Sequence, residues 1–455
     1  MDKTVSEFYQ TEAINYASYD NLRKLAGMVD GLKMSQRKLL HTMRQKFSKE
    51  YVKTETFANI CTAMTQYLHG SQNLVGVASG MAQSFIGSNN FPLFKGNSGG
   101  FGTRINPTFA AGRYTRMTLS EIAELLFDKK DDPVLEEQIF EGDVIEPRTF
   151  VPVFPVIFLN GSNGMSTGFS ETIFPRNPKD VISYIKAKLD GKDTSKIKLA
   201  PWFKGFKGNI VIGKSGVYEI QGVITKNNST SYTISEIPIG FEYAKYVEFL
   251  DKLCDDGVIV DYDDNCDTKT DDIMFAIKTS REFTRNHPDQ ESLIKEFKLS
   301  KTLPENLCFI DTANKVKVFD SVESLLDDFI DIRYGLYIKR KERLLRTLKA
   351  ELCRLAARFV FCKSVIDGTL VISNRSKADI SADMEHIDKL IKIDGTFDWL
   401  LRMPIHSIST DTMTELKSQI IAKKEEYTKI QNTSEKTMWE EDLDKLSKTF
   451  FKSCK

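Results

Sequence analysis

The sequence has few of the residues that build metal sites or disulfide frameworks. Only five histidines are present, none at the spacing of a zinc motif, and the seven cysteines are scattered without a C-x-x-C pair. This pattern disfavours a zinc enzyme and favours a reducing, cytoplasmic location. No apolar run approaches the ~18–20 residues of a membrane-spanning helix, and the N-terminus lacks the apolar stretch of a signal peptide. The sequence therefore predicts a cytoplasmic protein that does not involve a membrane.

Net charge is also lacking, because 63 Lys and Arg residues balance 63 Asp and Glu residues. A zero total does not exclude a nucleic-acid partner, since it says nothing about where the charges lie. Residues 21–53 carry nine basic and two acidic side chains. At 455 residues, with 41% hydrophobic and 28% charged residues, the chain has the composition of a folded protein. Its length predicts roughly two to four structural units.

Part of the basic stretch has the pattern of an amphipathic helix. Residues 34–44 place Met34, Leu39, Leu40 and Met43 on one side and basic residues elsewhere. Such a helix either exposes an ordinary solvated face or lies against phosphates. The charge pattern leaves both alternatives open.

Residues 87–116 have the Gly-, Ser- and Asn-rich composition of a loop, yet they carry basic residues and no acidic one. A long basic loop inside a globular chain is typical of a binding loop. Near its end stands the pair Arg113-Tyr114. A tyrosine hydroxyl can attack phosphorus, and a neighbouring guanidinium favours the phenolate and stabilises charge on a pentavalent phosphate. The pair alone does not establish catalysis, because most tyrosines pack or cap.

Two later regions have different periodicities. From about Pro201 to Ile239, short alternating segments between Gly, Asn and Ser turns predict a β-rich unit. Beyond Ser321, apolar residues at 3-4 spacing in 345–359 and again in 413–430 predict two helices that pair antiparallel. Between them, the mixed insert 360–410 is expected to form a small head. The whole pattern predicts an α+β chain with a helical arm suited to dimerisation.

Several short motifs, in one order along the chain, resemble the signatures of type IIA DNA topoisomerases. They are Asp30-Gly-Leu-Lys33 followed by Arg37-Lys38, Tyr67-Leu-His69-Gly70, Phe101-Gly-Thr-Arg104, Arg113-Tyr114, Leu159–Gly168 with its three spaced glycines, and Ile234-Ser-Glu-Ile-Pro238. The resemblance covers nearly the whole chain. It is nearest to the medium, DNA-cleaving subunit of T-even-like phage enzymes, and it extends to the C-terminal half of eukaryotic topoisomerase II and to the gyrase A subunit.

The resemblance implies a multidomain cleavage core. A winged-helix DNA-cleavage domain would occupy residues 1–150 and a β-rich tower residues 151–320. An antiparallel coiled-coil arm would be built from 321–359 and 411–455. The head at 360–410 would be the exit gate through which two copies of the chain dimerise.

The resemblance also implies residue roles. Tyr114 would be the nucleophile that forms a 5′-phosphotyrosine link, Arg113 would stabilise the transition state, and His69 would hydrogen-bond near the scissile phosphate. The DNA backbone would be bound by four basic residues, namely Lys33, Arg37, Lys38 and Arg104. Met165 stands where the family usually has an isoleucine that wedges between base pairs, and an unbranched apolar side chain can still unstack a step. Core packing is the alternative for Met165.

The family reaction uses a divalent metal and ATP, and neither has a recognisable motif in this chain. There is no G-x(4)-G-K-(S/T) loop. Two acidic motifs, Glu141-Gly-Asp143 and Asp261-Tyr-Asp263, fall where the resemblance places a domain connection and a tower strand. We therefore expect no metal or cofactor ligand here, with Mg²⁺ and ATP bound by large ATPase/TOPRIM partner subunits. The expected partners are double-stranded DNA, a second copy of the chain and those subunits, in the host cytoplasm if the chain is phage-encoded.

Two rival functions remain open at this stage. One is a DNA-bending protein without cleavage activity. The other is a self-contained metal nuclease that uses Asp261 and Asp263.

Overall fold

The computed structural model describes residues 4–97, 100–213, 216–267 and 269–452. The chain divides into two compact units, one formed by Met1–Arg333 with Glu440–Lys455 and the other by Tyr334–Trp439. Cys454, one of the seven cysteines counted above, lies outside the described residues. In the described ranges, no helix is both long and apolar enough to cross a membrane.

Helices dominate the two ends of the chain. Within the described ranges the α-helices are α1 (Val5–Phe8), α2 (Ile14–Lys24), α3 (Met34–Lys46), α4 (Thr54–Thr65), α5 (Ser71–Ala82), α6 (Glu121–Leu126), α7 (Ile157–Asn160), α8 (Pro178–Leu189), α9 (Tyr243–Asp255), α10 (Arg281–Asn286), α11 (Gln290–Glu296), α12 (Val322–Ile366), α13 (Lys377–Glu385), α14 (Asp398–Leu401), α15 (Thr410–Asn432) and α16 (Glu435–Lys452). A π-helical turn, Tyr9–Ala13, joins α1 to α2.

Short strands fill the middle of the chain. In the same ranges they are β1 (Val52–Lys53), β2 (Phe94–Gly96), β3 (Arg116–Leu119), β4 (Ile139–Phe140), β5 (Asp143–Val144), β6 (Ser162–Met165), β7 (Ser170–Ile173), β8 (Asn209–Ile212), β9 (Val217–Gln221), β10 (Val223–Asn228), β11 (Ser231–Glu236), β12 (Asp261–Asp264), β13 (Phe275–Lys278), β14 (Ser300–Pro304), β15 (Cys308–Ile310) and β16 (Val316–Val318).

The N-terminal region combines three helices with a small sheet. Helices α3, α4 and α5 pack beside a three-stranded sheet of order β1-β3-β2. The amphipathic helix predicted for residues 34–44 is confirmed as α3, whose Leu39, Leu40 and Met43 are buried. Phe57 of α4 meets Phe94 of β2 edge-on, with ring centroids 5.6 Å apart. The helices and the sheet therefore share one core and have the components of a winged helix.

The predicted β-rich unit is confirmed as β8 to β11, which join later strands in two antiparallel sheets. One has the order β10-β11-β13-β12 and the other β14-β9-β8. Along β11 every second residue is buried, Tyr232 and Ile234 among them, because successive side chains of a strand point to opposite faces. These residues pack with Leu250 of α9 and with Phe275 of β13 in one core.

Residues beyond the predicted domain boundary at 150 contact the N-terminal region. The β6–β7 hairpin lies against the N-terminal region, where the amide of Ala26 donates to Glu171 Oε2 at 2.7 Å. The amide of Phe91 likewise donates to Asn160 Oδ1 at 2.9 Å. Buried polar oxygens need such donors, and these two hydrogen bonds tie residues 157–173 to the segments before them.

The second unit is built on two antiparallel helix segments. Lys341 of α12 pairs with Glu435 at 3.2 Å, and Glu351 further along α12 pairs with Lys423 of α15 at 3.1 Å. Glu435 begins α16 and Lys423 lies in α15, so the pairing partners run in opposite directions along α12 and the α15–α16 segment, as predicted. At the far end, α13 and α14 pack around a core that includes Met384.

The predicted arm is longer than this compact unit. Its first residues, 321–333, and its last, 440–455, belong to the other unit. There Arg333 forms a buried ion pair of 2.8 Å with Asp131, and Phe450 is fully buried. The helical spacing continues across both points, so periodicity alone could not show where the helices change their packing partners.

Candidate active site and nucleic-acid interface

Tyr114 lies on the surface at the end of the basic loop. Its side chain is 72% exposed, and Arg113 beside it is exposed as well. The Cζ atom of Arg113 lies 5.3 Å from the centroid of the Tyr114 ring. A tyrosine this exposed contributes little to packing, so its position is suited to contact with another molecule.

The loop that carries Tyr114 is held on the first turn of α4. The amide of Glu55 donates to the carbonyl of Gly112 at 3.2 Å, and the amide of Thr54 donates to the carbonyl of Thr115 at 3.1 Å. The hydroxyls of Thr54 and Thr115 are 2.7 Å apart in a buried hydrogen bond. Because residues on both sides of Arg113-Tyr114 are anchored to the first turn of α4, the pair is held near the positive end of a helix dipole.

His69 lies in a neighbouring loop between α4 and α5. Its Nε2 is 2.9 Å from the hydroxyl of Tyr19, and its ring meets that of Tyr67 edge-on at 5.3 Å. Burial, and then the nearby charge of Arg23, lower the pKa of His69 below its usual range, so the imidazole is neutral at physiological pH. No hydrogen bond or ring contact in the described part of the chain joins His69 to Tyr114.

Met165 is exposed, which excludes core packing as its role. It ends β6, and 79% of its side chain is accessible at the tip of the β6–β7 hairpin. Phe169, just across the turn, is also 41% exposed. The hairpin thus presents two apolar side chains to solvent, which is the chemistry required to wedge between base pairs.

The structure gives Arg37 and Lys38 internal partners, contrary to their predicted contact with the DNA backbone. Arg37 binds Asp30 through Nε at 2.6 Å and Nη2 at 3.1 Å. Lys38 Nζ donates to the carbonyl of Thr65 at 2.6 Å and lies 2.8 Å from Glu146 Oε1. Both cations already neutralise buried carboxylates, so we reassign them to holding the fold.

Lys33 and Arg104 also point toward protein atoms. Lys33 Nζ donates to the carbonyl of Asn163 at 2.6 Å, and burial lowers the pKa of Lys33 despite the attraction of Glu171. The guanidinium of Arg104 pairs with Glu236, which is buried in the β-rich region. Each cation thus already has a partner in another segment of this chain, which argues against the predicted phosphate contacts.

Comparison with known proteins decides the family. The family model for the A subunits of DNA gyrase and topoisomerase IV matches residues 23–444. The chain belongs to this family. "DNA topoisomerase 2, mitochondrial" of Dictyostelium discoideum is 32% identical over 99% of this chain and 36% of its own length. "DNA topoisomerase 2-alpha" of Cricetulus griseus is 31% identical over 97% of this chain and 31% of its own length.

A solved structure gives the same result for the fold. The DNA-binding, cleavage and re-ligation domain of Plasmodium falciparum topoisomerase II matches with a TM-score of 0.88 and 30% identity, over 98% of this chain and 64% of that one. The predicted α+β fold of a type IIA cleavage core is therefore confirmed. The chain spans about a third of the length of the curated relatives named above. Those relatives are eukaryotic, so the closer resemblance to a phage medium subunit stays a prediction.

Three exposed basic residues of this gyrase A-like chain were not predicted from the sequence to be site residues. Lys53 of β1 is the register partner of Arg116 of β3, and Lys95 of β2 is the partner of Thr118, two residues further along β3. Directly opposed and alternate residues share one face of a sheet, so Lys53, Lys95 and Arg116 line the same face. None of the three has an ion-pair partner among the described residues. Strand alternation in the sequence was the signal that could have grouped them.

The two carboxylates of the acidic motif that suggested a nuclease lie beside a lysine of the same chain. Asp261 and Asp263 of β12 flank Lys278 of β13, whose Nζ lies 3.5 Å and 3.1 Å from their carboxylates. Over the described ranges, no group of three or more His, Cys, Asp or Glu residues could hold a metal ion.

Proposed function

We propose that this chain is the breakage–reunion part of a type II DNA topoisomerase, with Tyr114 as the nucleophile. The observation that carries the proposal is the exposed Arg113-Tyr114 pair on a loop anchored to α4 on both sides. A nucleophile must reach a large substrate and keep a fixed position, and this arrangement provides both.

The proposed reaction is a transesterification. The phenolic oxygen of Tyr114 attacks phosphorus, a new O–P bond forms, and the bond from phosphorus to the 3′ oxygen breaks. The phenolic proton is lost and the departing 3′ oxygen gains one, so the step is balanced. Arg113 stabilises the charge that develops on the phosphate. Because the phosphotyrosine link keeps the energy of the broken bond, the 3′ hydroxyl can reseal the strand by the reverse reaction.

Double-stranded DNA would be held by the exposed basic sheet face and bent by the hairpin tip. We assign phosphate contacts to the exposed residues Lys53, Lys95 and Arg116. The four cations predicted from the sequence all pair with protein atoms instead. Met165 and Phe169 would insert between base pairs, unstack a step and bend the duplex. His69 is retained as a hydrogen-bond partner near the scissile phosphate.

Mg²⁺ and ATP would be bound outside these 455 residues, on a large ATPase/TOPRIM subunit. Mg²⁺ would stabilise phosphate charge during cleavage, and ATP would drive passage of a second duplex through the break. Two copies of this chain would dimerise through the head at 360–410, so that each copy cuts one strand.

Trapping the covalent intermediate tests the proposed function. The full chain, mixed with supercoiled DNA, Mg²⁺ and the ATPase/TOPRIM subunits and then denatured with detergent, should yield protein-linked 5′ ends. DNA that is bound and bent without adducts would favour a bending protein instead. Irreversible Mg²⁺-dependent cutting by the chain alone would favour a nuclease.

The basic sheet face makes a separate prediction about binding. Replacing Lys53, Lys95 or Arg116 with Ala should weaken duplex binding and reduce the slope of log affinity against log salt by about one for each phosphate that is no longer neutralised. Folding stability should change little, because the side chains are exposed. Fluorescence anisotropy at several salt concentrations measures the slope. Lys252→Ala, an exposed lysine on α9, is the matched control, and an equal effect there would contradict the assignment.

Gly112 makes a prediction about the position of the nucleophile. A Cβ at Gly112 would lie 2.8 Å from Val75 Cγ1 and 3.2 Å from the Glu55 amide nitrogen, so Gly112→Ala should push the loop off α4. We expect adduct yield to fall about tenfold or more, because small displacements of a nucleophile are costly, while stability falls by about 1–3 kcal/mol. Gly80→Ala is the control, since nothing lies within 4 Å of its added Cβ. Unchanged adduct yield in Gly112→Ala would contradict the anchoring.

A further inference from the structure

Helix α2 contacts two separate functional elements through consecutive residues. The hydroxyl of Tyr19 is 2.9 Å from Nε2 of His69. The next residue, Asp20, accepts through Oδ2 from the amide of Thr167 at 3.0 Å and from its hydroxyl at 2.9 Å. Thr167 lies in the turn between Met165 and Phe169. One turn of one helix therefore joins the histidine to the tip of the apolar hairpin.

Asp20 is well suited to hold that turn in place. Its side chain is only 8% exposed, and Lys24 one helical turn later lies 2.9 Å from Oδ1. The hydrogen bond from Lys24 is the main reason that the pKa of Asp20 is lowered, so the carboxylate is ionised and accepts two strong hydrogen bonds from Thr167. The turn itself is closed by a hydrogen bond of 2.9 Å from the Ser166 amide to the Phe169 carbonyl.

The base of the hairpin is fixed to the same region. Glu171 is fully buried and accepts from the amide of Ala26, while Lys33 donates to the carbonyl of Asn163 in β6. A Cβ at Gly164 would lie 2.6 Å from the carbonyl oxygen of Lys24, the last residue of α2, so the strand packs directly on the end of the helix. The hairpin and α2 are thus closely packed. A displacement of the hairpin tip should therefore also displace the helix.

At the other contact, the hydrogen bond with Tyr19 determines which ring nitrogen of His69 carries the proton. A neutral imidazole has one N–H donor and one acceptor nitrogen, and the partner of one nitrogen decides the state of the other. The Tyr19 hydroxyl can either donate to Nε2, which leaves the N–H on Nδ1, or accept from it, which places the N–H on Nε2. A shift of α2 would move this hydroxyl and alter the orientation of the ring.

We propose that α2 is a coupling element in which Asp20 positions the Met165–Phe169 tip and Tyr19 positions His69. Bending of DNA at the hairpin is thereby linked to the geometry of the cleavage site. The inference rests on the proposed function, because it assumes that the chain bends and cleaves DNA. Tyr19 and Asp20 are positioning residues and need not touch the DNA.

Four variants of the full chain test the coupling. Asp20→Ala removes the acceptor at the tip, and Thr167→Ala removes one of its two donors at an exposed position where folding is not at risk. Tyr19→Phe removes only the hydroxyl that reaches His69. Tyr16→Phe, on the same helix, is the matched control, because Tyr16 is 64% exposed and has no hydrogen-bond partner among the described residues.

Two measurements separate positioning from folding. End-to-end energy transfer on a labelled duplex of about 30 base pairs, at saturating protein, reports bending by the chain alone. Adduct yield with the ATPase/TOPRIM subunits reports cleavage. We expect Asp20→Ala to reduce the bent population about tenfold, because the variant loses hydrogen bonds to a charged group. The adduct yield should fall with the bent population. Thr167→Ala should have a smaller effect in the same direction.

Tyr19→Phe should leave binding and bending unchanged and lower adduct yield about threefold to tenfold, and Tyr16→Phe should match the wild type. The double variant of Tyr19 and Asp20 should show a non-additive loss of adducts. Unaltered bending in Asp20→Ala, or unaltered adduct yield in Tyr19→Phe, would overturn the inference. If the wild-type chain forms no adducts but bends DNA, the proposed cleavage function fails while the role of Asp20 at the tip can still be measured.

Discussion

Replacing Tyr114 with Phe should abolish covalent attachment to DNA while leaving DNA binding intact. The substitution removes only the hydroxyl that attacks phosphorus, so we expect adduct yield to fall at least about a thousandfold. Stability should stay within about 0.5 kcal/mol of the wild type, because the ring is exposed and the loop is held through its neighbours. Gel separation of detergent-trapped adducts, with anisotropy for binding and thermal unfolding for stability, measures all three quantities.

Tyr51→Phe is the matched control for Tyr114→Phe. Tyr51 is 38% exposed and precedes β1, and its hydroxyl has no hydrogen-bond partner in the described part of the chain. Its loss should change none of the three measurements. Adducts that persist in Tyr114→Phe would show that another residue is the nucleophile, whereas loss of binding together with adducts would indicate a structural role for Tyr114.

Replacing Lys38 with Met should destabilise the fold by about 3–5 kcal/mol, because removing one partner of a buried ion pair leaves the other charge uncompensated. The Lys38 and Glu146 side chains are 8% and 4% exposed, and the nitrogen also satisfies the carbonyl of Thr65 at the end of α4. Urea unfolding of the two variants Lys38→Met and Lys53→Ala distinguishes a buried cation from one that we propose binds DNA. The first should lose stability, and the second should lose only DNA affinity.

The loss in Lys38→Met should depend on pH in a defined direction. Burial raises the pKa of Glu146 above its usual range even beside Lys38, and without that ammonium the pKa must rise further. A carboxyl whose folded pKa exceeds its unfolded pKa destabilises the fold above the folded pKa. The cost should therefore be complete at high pH and shrink as pH falls through the folded pKa toward the usual range of a glutamate. The double variant with Glu146→Gln should recover part of the stability at neutral pH, and a pH-independent loss would contradict this account.

Much of the local structure could be predicted from residue patterns. The spacing of Leu39, Leu40 and Met43 predicted α3, and the alternation around Tyr232 and Ile234 predicted β11, because each pattern states which side of an element is buried. The antiparallel pairing in the arm followed from the same argument. The ends of the arm did not, because the helical period continues where α12 and α16 pass from one unit to the other.

The candidate site was predictable only in part. The Arg113-Tyr114 pair was located from its motif, and the structure adds that both side chains are exposed. Charge density located basic segments but could not show which side chains are free, since Arg37 and Lys38 in the basic stretch pair with buried carboxylates while Lys53 in the same stretch is exposed. The link between His69 and the hairpin through α2 has no sequence signal, because its contacts join residues 50 and 147 positions apart.

The sequence by itself determined the element types, the family and the position of the Arg113-Tyr114 pair that we propose to be reactive, because these depend on neighbouring residues and their spacing. The tertiary structure alone decided which cations remain free to bind phosphate. Lys38 is neutralised by Glu146, 108 residues later, and Arg104 is neutralised by Glu236, 132 residues later. A cation that forms an ion pair with a carboxylate of the same chain is less available to bind DNA. Which cations form such pairs depends on the tertiary structure, because the carboxylates are distant in sequence.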